Sequence, residues 1–343
     1  MGSDVTLKHI AKALGVSAMT VSRALNNRSN VDKKTRKKVL EKAQSMGYTP
    51  NHVAKSLVSS KTYTIGVVIP EITHAFFPEV VRGIEEVTNT SDYQLFLTNA
   101  NEHFAREQDA IRTLQSKRVD GLLISSSQTV EDYSFYEQLV NSGTNIVFFD
   151  RCIEGIGAST VSVNDRESSR KITEHLIEVH GYTKIAHLSG PQKVSIGKKR
   201  YTGYRDALEA HGLELRDDWI IEGGFQEDRG YRAMNQLLSL PAEEYPEAVV
   251  AVNDPAAIGA IRAIDEAGLS IPDDMAIVGF TDDIRAPLLE VPLTTVHQPA
   301  YEVGKAAARK LIQTIENEEE SIEDIEIANT LKIRSSCGCN AGD

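Results

Sequence analysis

From Tyr63 onward, short apolar runs alternate with longer stretches that have helical periodicity. The apolar runs predict short buried strands over residues 65–69, 94–97, 121–124, 146–149, 185–188, 248–252 and 276–279. The stretches between them predict helices over residues 77–90, 105–116, 130–142, 196–211, 229–238 and 254–268. Parallel strands must be joined by crossover connections, and these are usually helices. The alternation therefore predicts an α/β body built on doubly wound parallel sheet.

The first sixty residues follow a different, purely helical pattern. Thr6 and Ser17 are suitable caps for two short helices, and Gly15 can supply the positive φ that ends the first. The predicted inward residues of these two helices are Leu7, Ile10, Ala11, Leu14, Val21, Ala24 and Leu25. Two short helices joined by a tight turn that contains glycine are typical of the helix-turn-helix motif.

A third helix is predicted after Asp32. Its predicted buried face is Val39, Leu40, Ala43 and Met46, and its exposed face carries Lys33, Lys34, Arg36, Lys37 and Lys38. Residues 1–61 hold 12 Lys/Arg against 3 Asp/Glu, whereas the whole chain has a net charge of −12. A basic module on an acidic body is expected if only that module meets a polyphosphate. A basic solvated tail is the alternative, but regular helical periodicity disfavours it.

The predicted headpiece is all-α. Its second helix is expected to enter the major groove of DNA, where its N-terminal residues reach the base edges. Ala18 and Met19 could contact a thymine methyl group, and Arg23 could donate two hydrogen bonds to guanine. Short polar residues suited to phosphate contacts are Thr6, Ser17, Thr20, Ser22, Asn26 and Thr35. For the hydroxyl groups, simple helix capping is an equally good interpretation, and Arg23 could be an ordinary surface residue.

Two long runs, TLKHIAKALGVSAMTVSRALNN and VDKKTRKKVLEKAQSMGYTPNHVAKSL, resemble the headpiece of the lactose-repressor/galactose-repressor (LacI/GalR) family. The resemblance continues through the body. It implies that the segment after Tyr48, over residues 51–58, becomes a hinge helix on DNA. It also implies that Leu57 is a wedge inserted between the central base pairs from the minor groove. The residues that would pack nearby are Asn51, Val53 and Ala54.

The resemblance also implies a periplasmic-binding-protein-like body with two sheets and a cleft between them. The predicted organisation is a headpiece (1–50), a hinge and linker (51–61), a body (62–336) and a tail (337–343). Within the body, one subdomain comprises residues 62–161 and 297–323, and the other comprises residues 162–296 and 324–336. Each subdomain is therefore expected to be discontinuous in sequence, with crossings near residues 294–298 and 324–327.

Ligands of open parallel sheets bind at the carboxyl ends of the strands. This rule selects residues 70–77, 125–127, 150–151, 190–200, 253–254 and 280–283. By resemblance, the effector-binding residues are His74, Phe76, Phe77, Ser125, Asp150, Ile196, Arg200, Phe225, Asn253 and Thr281. Core packing is the alternative for the two adjacent phenylalanines, and helix capping is the alternative for the asparagine.

One position departs from the family pattern. Many family members have an aspartate two residues after the glycine that is Gly279 here, whereas this chain has Thr281. With Lys198 and Arg200 nearby in sequence, an acidic or phosphorylated ligand becomes more plausible, and a neutral sugar remains open.

Other chemistry finds little support in the sequence. Cys337-Gly338-Cys339 could bind a metal, but no further ligand in sequence completes a set, so a frayed terminus, no metal and no cofactor are expected. The glycines of residues 155–157 lack the rest of a dinucleotide-binding loop. No catalytic motif is evident, so no enzyme is expected. Three cysteines, no apolar leader and no long apolar run indicate a cytoplasmic protein.

The leading hypothesis is a transcription regulator, a repressor, that binds a pseudo-palindromic operator as a homodimer under allosteric control by a sugar-like effector. No leucine-heptad tail follows Lys332, which favours a dimer over a tetramer. The alternatives are an activator or dual regulator that responds to a sugar acid, sugar phosphate or nucleobase. A solute-binding protein is less favoured, because it would not explain the basic headpiece.

Overall fold

The computed structural model describes residues 5–25, 30–48, 61–317 and 321–339, and the chain divides into two compact units at Thr62. The first unit contains helices α1 (Leu7–Leu14), α2 (Ala18–Leu25) and α3 (Lys33–Ser45). Their apolar faces meet in one small core that includes Ile10 and Val21. The prediction of a three-helix headpiece is thus confirmed.

The ends of the headpiece helices follow from local sequence. Gly15 ends α1 with φ 67°, a left-handed conformation that favours glycine. The Thr20 backbone N–H donates to Ser17 Oγ at the start of α2, over 3.0 Å. At the start of α3, Asp32 accepts hydrogen bonds from the backbone N–H groups of Lys34 and Thr35. Each predicted cap is therefore at the start or end of its helix.

One detail of the predicted third helix is wrong. Leu40 is 48% exposed, because it follows the fully buried Val39 and lies about 100° further around the helix. Met46 lies just past the end of α3 and packs against the headpiece core, as predicted.

The second unit is an α/β body whose elements alternate as the sequence predicts. Its first half contains β1 (Thr64–Ile69), α4 (Phe76–Thr90), β2 (Gln94–Asn99), α5 (Phe104–Ser116), β3 (Gly121–Ile124), α6 (Ser134–Asn141), β4 (Ile146–Phe149) and β5 (Ser159–Val163). The middle contains α7 (Asp165–His180), β6 (Ile185–Ser189), α8 (Ser195–Ala210), β7 (Ile220–Glu222), α9 (Glu227–Leu237), β8 (Ala248–Ala251), α10 (Asp254–Glu266) and β9 (Ala276–Thr281). The end contains β10 (Thr294–His297), α11 (Ala300–Glu316), β11 (Asp324–Ile327) and β12 (Thr330–Lys332).

The strands form two six-stranded sheets. The first has the order β11-β5-β4-β3-β1-β2 and is parallel throughout. The second has the order β12-β10-β9-β8-β6-β7 and is parallel except for the β10–β12 pair. Two parallel-sheet subdomains confirm the predicted fold class. Within the described residues, no helix combines the length and apolar character needed to cross a membrane.

Some predicted elements have different limits or surroundings. Strand β2 lies at a sheet edge and is largely exposed, with Phe96 45% and Leu97 39% exposed, so its predicted burial is wrong. The predicted helix over residues 130–142 begins only at Ser134, where the Asp132 carboxylate accepts the backbone N–H of Ser134. Helices α7 and α11, and strands β5, β7, β10, β11 and β12, are not predicted as such from the sequence.

The chain crosses between the two subdomains three times. It crosses at Asn164, between β5 and α7; at Gln298, between β10 and α11; and between β11 and β12. The predicted start of the last segment of the second subdomain, at residue 324, is wrong. Strand β11 pairs in parallel with β5, so this crossing falls after Ile327. The first crossing likewise follows Val163 rather than residue 161, because β5 extends to that residue.

The Cys337-Gly338-Cys339 segment is not a frayed end, and the prediction that no further ligand accompanies it is wrong. Cys337 is fully buried and ends a short 3₁₀ turn that packs on the second subdomain. His175 and His180, from the last turns of α7, lie beside the two thiols.

The first subdomain depends on a close approach between α4 and α11. Gly83 on α4 lies against the Tyr301 backbone carbonyl, and Gly304 on α11 lies against the Val80 carbonyl. A Cβ atom at either glycine would overlap the facing backbone. Because backbone cannot rotate away as a side chain can, these positions require the absence of a side chain.

We expect Gly83→Ala to destabilise the body by about 1–3 kcal/mol, since the two helices must move apart. Glu85→Ala, on the exposed face of the same helix, serves as the matched control. Urea unfolding followed by circular dichroism measures the difference. Equal stability of the two variants would contradict the close-packing role of Gly83.

Candidate ligand cleft and nucleic-acid surface

A cleft lies between the two subdomains, where the carboxyl ends of strands from both sheets converge. Nine of the ten predicted effector residues line it: His74, Phe76, Phe77, Asp150, Ile196, Arg200, Phe225, Asn253 and Thr281. The exception is Ser125, which is fully buried and whose Oγ has no hydrogen-bond partner among the described residues. The strand-end rule and the family resemblance together therefore selected cleft residues that are far apart in sequence.

Seven further residues line the cleft: Glu71, Glu102, Arg151, Gln226, Pro255, Asp283 and Gln298. Glu71, Arg151 and Asp283 fall within the segments that the strand-end rule selects. Glu102 follows the exposed edge strand β2, and Gln298 follows β10, which was predicted as a crossing and not as a strand. Applying the rule to every strand would have found both residues.

A polar network joins the two walls of the cleft. Arg151 Nη1 donates to both carboxylate oxygens of Glu102, at 2.9 Å each. The Arg151 guanidinium lies 4.4 Å above the ring centroid of Phe225, which belongs to the opposite subdomain. Gln226, also from that subdomain, donates from Nε2 to Glu102 Oε1 over 3.2 Å. A charge pair on one wall thus contacts an aromatic ring and an amide on the other.

Arg200 is buried and most of its hydrogen-bonding capacity is used within the protein. Its Nε donates to Asp165 Oδ1 at 2.8 Å, and Nη1 donates to the Val252 carbonyl at 2.7 Å. The guanidinium also lies 3.7 Å from the Phe280 ring centroid. Lys198 is exposed and lines a separate groove rather than this cleft. The premise that Lys198 and Arg200 together favour an acidic ligand is therefore wrong.

Carboxyl groups of the cleft respond differently to burial. Burial raises the pKa of Asp150 to about 6, although Arg151 and Arg200 oppose the shift. Burial also disfavours the Glu71 carboxylate, but hydrogen bonds from His74 and Thr73 outweigh it and lower the pKa of Glu71. Glu71 is thus held as a charged acceptor, whereas Asp150 can lose its charge in mildly acidic solution.

The departure at Thr281 does not remove acidic groups from the cleft. Asp283, two residues later, lines it and pairs with Arg285 at 3.0 Å. Asp282 instead forms an ion pair with Arg334 at 2.6 Å and lies outside the cleft lining. Thr281 itself has φ 135°, a region that non-glycine residues rarely occupy.

The enclosed space of the cleft is about 40 Å³. Sites for drug-sized ligands typically measure about 300–1,000 Å³. A ligand of that size therefore requires the walls to separate or the phenylalanine side chains to rotate. Separation of the walls, or rotation of Phe225, must disturb the contact that Arg151 makes with Phe225.

The headpiece presents part of the predicted DNA-reading surface. Met19 is 63% exposed and Arg23 is exposed on α2, whereas Ala18 is half-buried against the headpiece core. Ser17 and Thr20 hydrogen-bond to each other at the start of α2, which supports the capping interpretation for Ser17. The remaining described candidates are Thr6, which is exposed, and Ser22, Thr35 and Tyr48, which are half-buried. The candidates Asn26, Asn51, Val53, Ala54 and Leu57 lie outside the described residues.

Comparison with known families assigns both units. Residues 6–51 match the family described as bacterial regulatory proteins, lacI family. Residues 62–335 match periplasmic binding proteins and sugar binding domain of LacI family. The chain belongs to the LacI family of bacterial regulatory proteins.

Full-length relatives agree with this assignment. Catabolite control protein A of Priestia megaterium is 32% identical over 334 residues, which cover 97% of this chain and 99% of the relative. The HTH-type transcriptional repressor PurR of Haemophilus influenzae (strain PittEE) is 34% identical over 338 residues, covering 96% and 98%. The lac repressor dimer bound to operator and the anti-inducer ONPF has a TM-score of 0.85 at 25% identity, covering 98% of this chain and 99% of that chain.

The family settles the class of activity. This protein is a DNA-binding transcription regulator and not an enzyme, as the sequence predicted. LacI-family repressors bind operator DNA and small-molecule effectors. The helix-turn-helix unit and the two-subdomain body therefore correspond to the DNA-binding and effector-binding parts of such a regulator.

The raised pKa of Asp150 predicts a pH-dependent stability difference. A raised carboxyl pKa stabilises the fold below the ordinary value of 3.8, and this contribution is lost as the pH rises to about 6. We expect Asp150→Asn to gain stability over the parent chain, with a gain about 1 kcal/mol larger at about pH 7.5 than at about pH 5. Asparagine also tolerates the positive φ of this position.

Thermal or urea unfolding at the two pH values measures this difference. Asp109→Asn, which alters an exposed carboxylate in an i,i+3 ion pair, is the control and should show no such trend. A gain for Asp150→Asn that is the same at both pH values would show that Asp150 is already charged throughout.

Proposed function

We propose that this regulator is a repressor that binds a pseudo-palindromic operator as a homodimer, under control of a neutral sugar in the cleft. We place it in the cytoplasm, associated with the nucleoid through DNA. The cleft lining from both subdomains is the observation that carries the proposal. A ligand held by both walls changes their separation, and a two-state body can pass this change to the headpiece.

The chemistry of the cleft supports a neutral, hydroxyl-rich ligand. Phe76, Phe77 and Phe225 offer flat apolar surfaces for a sugar ring. Carboxylate and amide oxygens offer acceptors for hydroxyl groups, whereas the two cleft arginines are already engaged by Glu102 and Asp165. A ligand carboxylate or phosphate would therefore meet arginines whose charges are already balanced by these two carboxylates. Among similar structures, a transcriptional regulator CelR–cellobiose complex has a TM-score of 0.73 at 29% identity, covering 97% of this chain and 99% of that chain.

A second ligand class has to be tested beside sugars. The similarity to PurR repressors does not by itself select between a sugar and a base. A flat nucleobase could use the same phenylalanine faces. A ligand panel must therefore contain neutral sugars, sugar acids, sugar phosphates and nucleobases.

We expect a neutral sugar from this panel to raise the melting temperature of the full chain and to change its operator affinity. His74→Ala should abolish the shift, because His74 lines the cleft and holds Glu71 by a 3.1 Å contact. His103→Ala, an exposed histidine outside the cleft, is the matched control. A shift produced only by sugar acids, phosphates or bases would overturn the proposed ligand class. A bound ligand that leaves operator affinity unchanged would overturn the proposed control.

The DNA-reading role of Arg23 has a separate test. We expect Arg23→Ala to weaken specific binding by about 1–3 kcal/mol and to relax selection at one base pair of each half-site. Lys37→Ala, on the exposed face of α3, should weaken specific and non-specific binding alike and reduce the salt slope by about 1. Selection from a random oligonucleotide pool and titrations at fixed salt supply both readouts. Unchanged base selection by Arg23→Ala would contradict its role as a reader.

A further inference from the structure

Four potential metal ligands converge at one end of α7, outside the cleft. His175 and His180 come from the last two turns of this helix, whereas Cys337 and Cys339 come from the 3₁₀ turn near residue 337 and the residues after it. The donor atoms of all four side chains lie within 4.8 Å of one another. Two segments separated by more than 150 positions in sequence thus present two imidazoles and two thiols to one point.

The distances between donor atoms match a tetrahedral metal site. His175 Nε2 lies 3.5 Å from Cys337 Sγ and 3.7 Å from Cys339 Sγ. His180 Nε2 lies 3.4 Å from Cys339 Sγ. Zinc bonds of about 2.3 Å to sulfur and about 2.0–2.1 Å to nitrogen place tetrahedral ligand atoms about 3.5 Å apart. The observed spacing therefore leaves room for one such ion among the four atoms.

Hydrogen bonding alone explains the arrangement poorly. A neutral imidazole has one ring N–H and one acceptor nitrogen, so a single Nε2 atom cannot serve two thiols well. Yet His175 Nε2 faces both sulfur atoms. A cation at the centre would use one lone pair from each of the four donor atoms.

The backbone around the cysteines is shaped for this convergence. Gly338 has φ 106°, and a Cβ atom there would lie 3.1 Å from His180 Nδ1 and 3.2 Å from the Tyr182 hydroxyl. Glycine is therefore needed both for the turn and for the approach of the histidine ring. The Tyr182 ring stacks on His180, with centroids 5.6 Å apart, and fixes the plane of the imidazole.

The turn is also anchored to the second sheet independently of the four side chains. Ser336 Oγ donates to the Ile277 carbonyl at 2.6 Å and accepts the Thr294 backbone N–H at 2.8 Å. The Thr294 hydroxyl donates to the Arg334 carbonyl at 2.8 Å and lies 3.1 Å from Cys337 Sγ. The fold thus positions this turn without help from the four candidate ligands.

We propose that His175, His180, Cys337 and Cys339 bind one zinc ion, which fastens the C-terminal turn to α7. Two sulfur and two imidazole donors in tetrahedral geometry favour zinc among the common divalent ions. With four protein ligands, the site has no open position, so its role is structural. None of the four residues lines the ligand cleft, so the site is independent of the proposed effector.

The test uses the full chain, purified without a histidine tag and in the presence of a reducing agent. We expect one zinc per chain by elemental analysis, and cobalt should replace it with the intense visible absorption of a tetrahedral, thiolate-ligated site. Cys339→Ser and His180→Asn should each weaken zinc binding by at least about tenfold, as measured against a competing chelator. Cys152→Ala removes a cysteine from the other subdomain and should bind zinc as the parent chain does.

A stability measurement distinguishes a variant that has lost a zinc ligand from a variant that has misfolded. Chelation should lower the melting temperature of the parent chain and of Cys152→Ala, and added zinc should restore it. Cys339→Ser should melt at one temperature with or without zinc while retaining its circular dichroism spectrum. Sub-stoichiometric zinc in the reduced parent chain after zinc is added would overturn the proposal. Equal zinc affinity in Cys339→Ser would also overturn it.

Discussion

The buried ion pair between Arg200 and Asp165 is the interaction on which the arrangement of the body depends. Asp165 begins α7 immediately after the first crossing, and the 2.8 Å contact fixes the start of that helix. The same guanidinium contacts Gln298 Oε1, at the second crossing, over 3.3 Å. One turn further along α7, the Ser168 hydroxyl contacts Asn329, beside the third crossing, at 2.8 Å. Polar contacts near the N-terminus of α7 therefore hold all three connections between the subdomains close together.

This arrangement limits how the cleft can open. A buried charge left without its partner costs about 3–5 kcal/mol, so separation of Arg200 from Asp165 is strongly disfavoured. The contact of Arg151 with Phe225 and the hydrogen bond from Gln226 to Glu102 are weaker, because a stacked ring and an amide can both be replaced by ligand groups. Opening should therefore break these two contacts and rotate the subdomains about the crossings that Arg200 holds.

The sequence predicted the continuous apolar strands well and the elements that are rich in polar residues poorly. Strands β3 and β4 have the predicted bounds, because continuous apolar runs are typical of strands buried on both faces. Strand β11 reads Asp-Ile-Glu-Ile, with alternating exposure, and was predicted only as a crossing. Helix α7 was missed because its sequence is dominated by charged and polar residues. Its position is determined by tertiary contacts, which a local pattern does not contain.

The candidate sites show the same division. The strand-end rule and the family resemblance together placed nine residues at one cleft, because the topology of a parallel sheet determines where its strand ends meet. Sequence proximity misled for Lys198, which is two residues from Arg200 but occupies another groove. The histidine partners of Cys337 and Cys339 could not be predicted either, because no local pattern relates the two cysteines to α7. Contacts across long stretches of chain require the fold itself.

The interleaved path of the chain has a consequence for its synthesis. The first sheet is complete only when β11 has paired with β5, and α11 covers that sheet after the whole second subdomain has been made up to β10. When only the first five strands of the first subdomain have been translated, their sheet therefore still lacks its sixth strand. Domains usually fold in order as they emerge from the ribosome. Here neither subdomain can reach its native packing before translation has passed Ile327, so the body should fold late, as one unit.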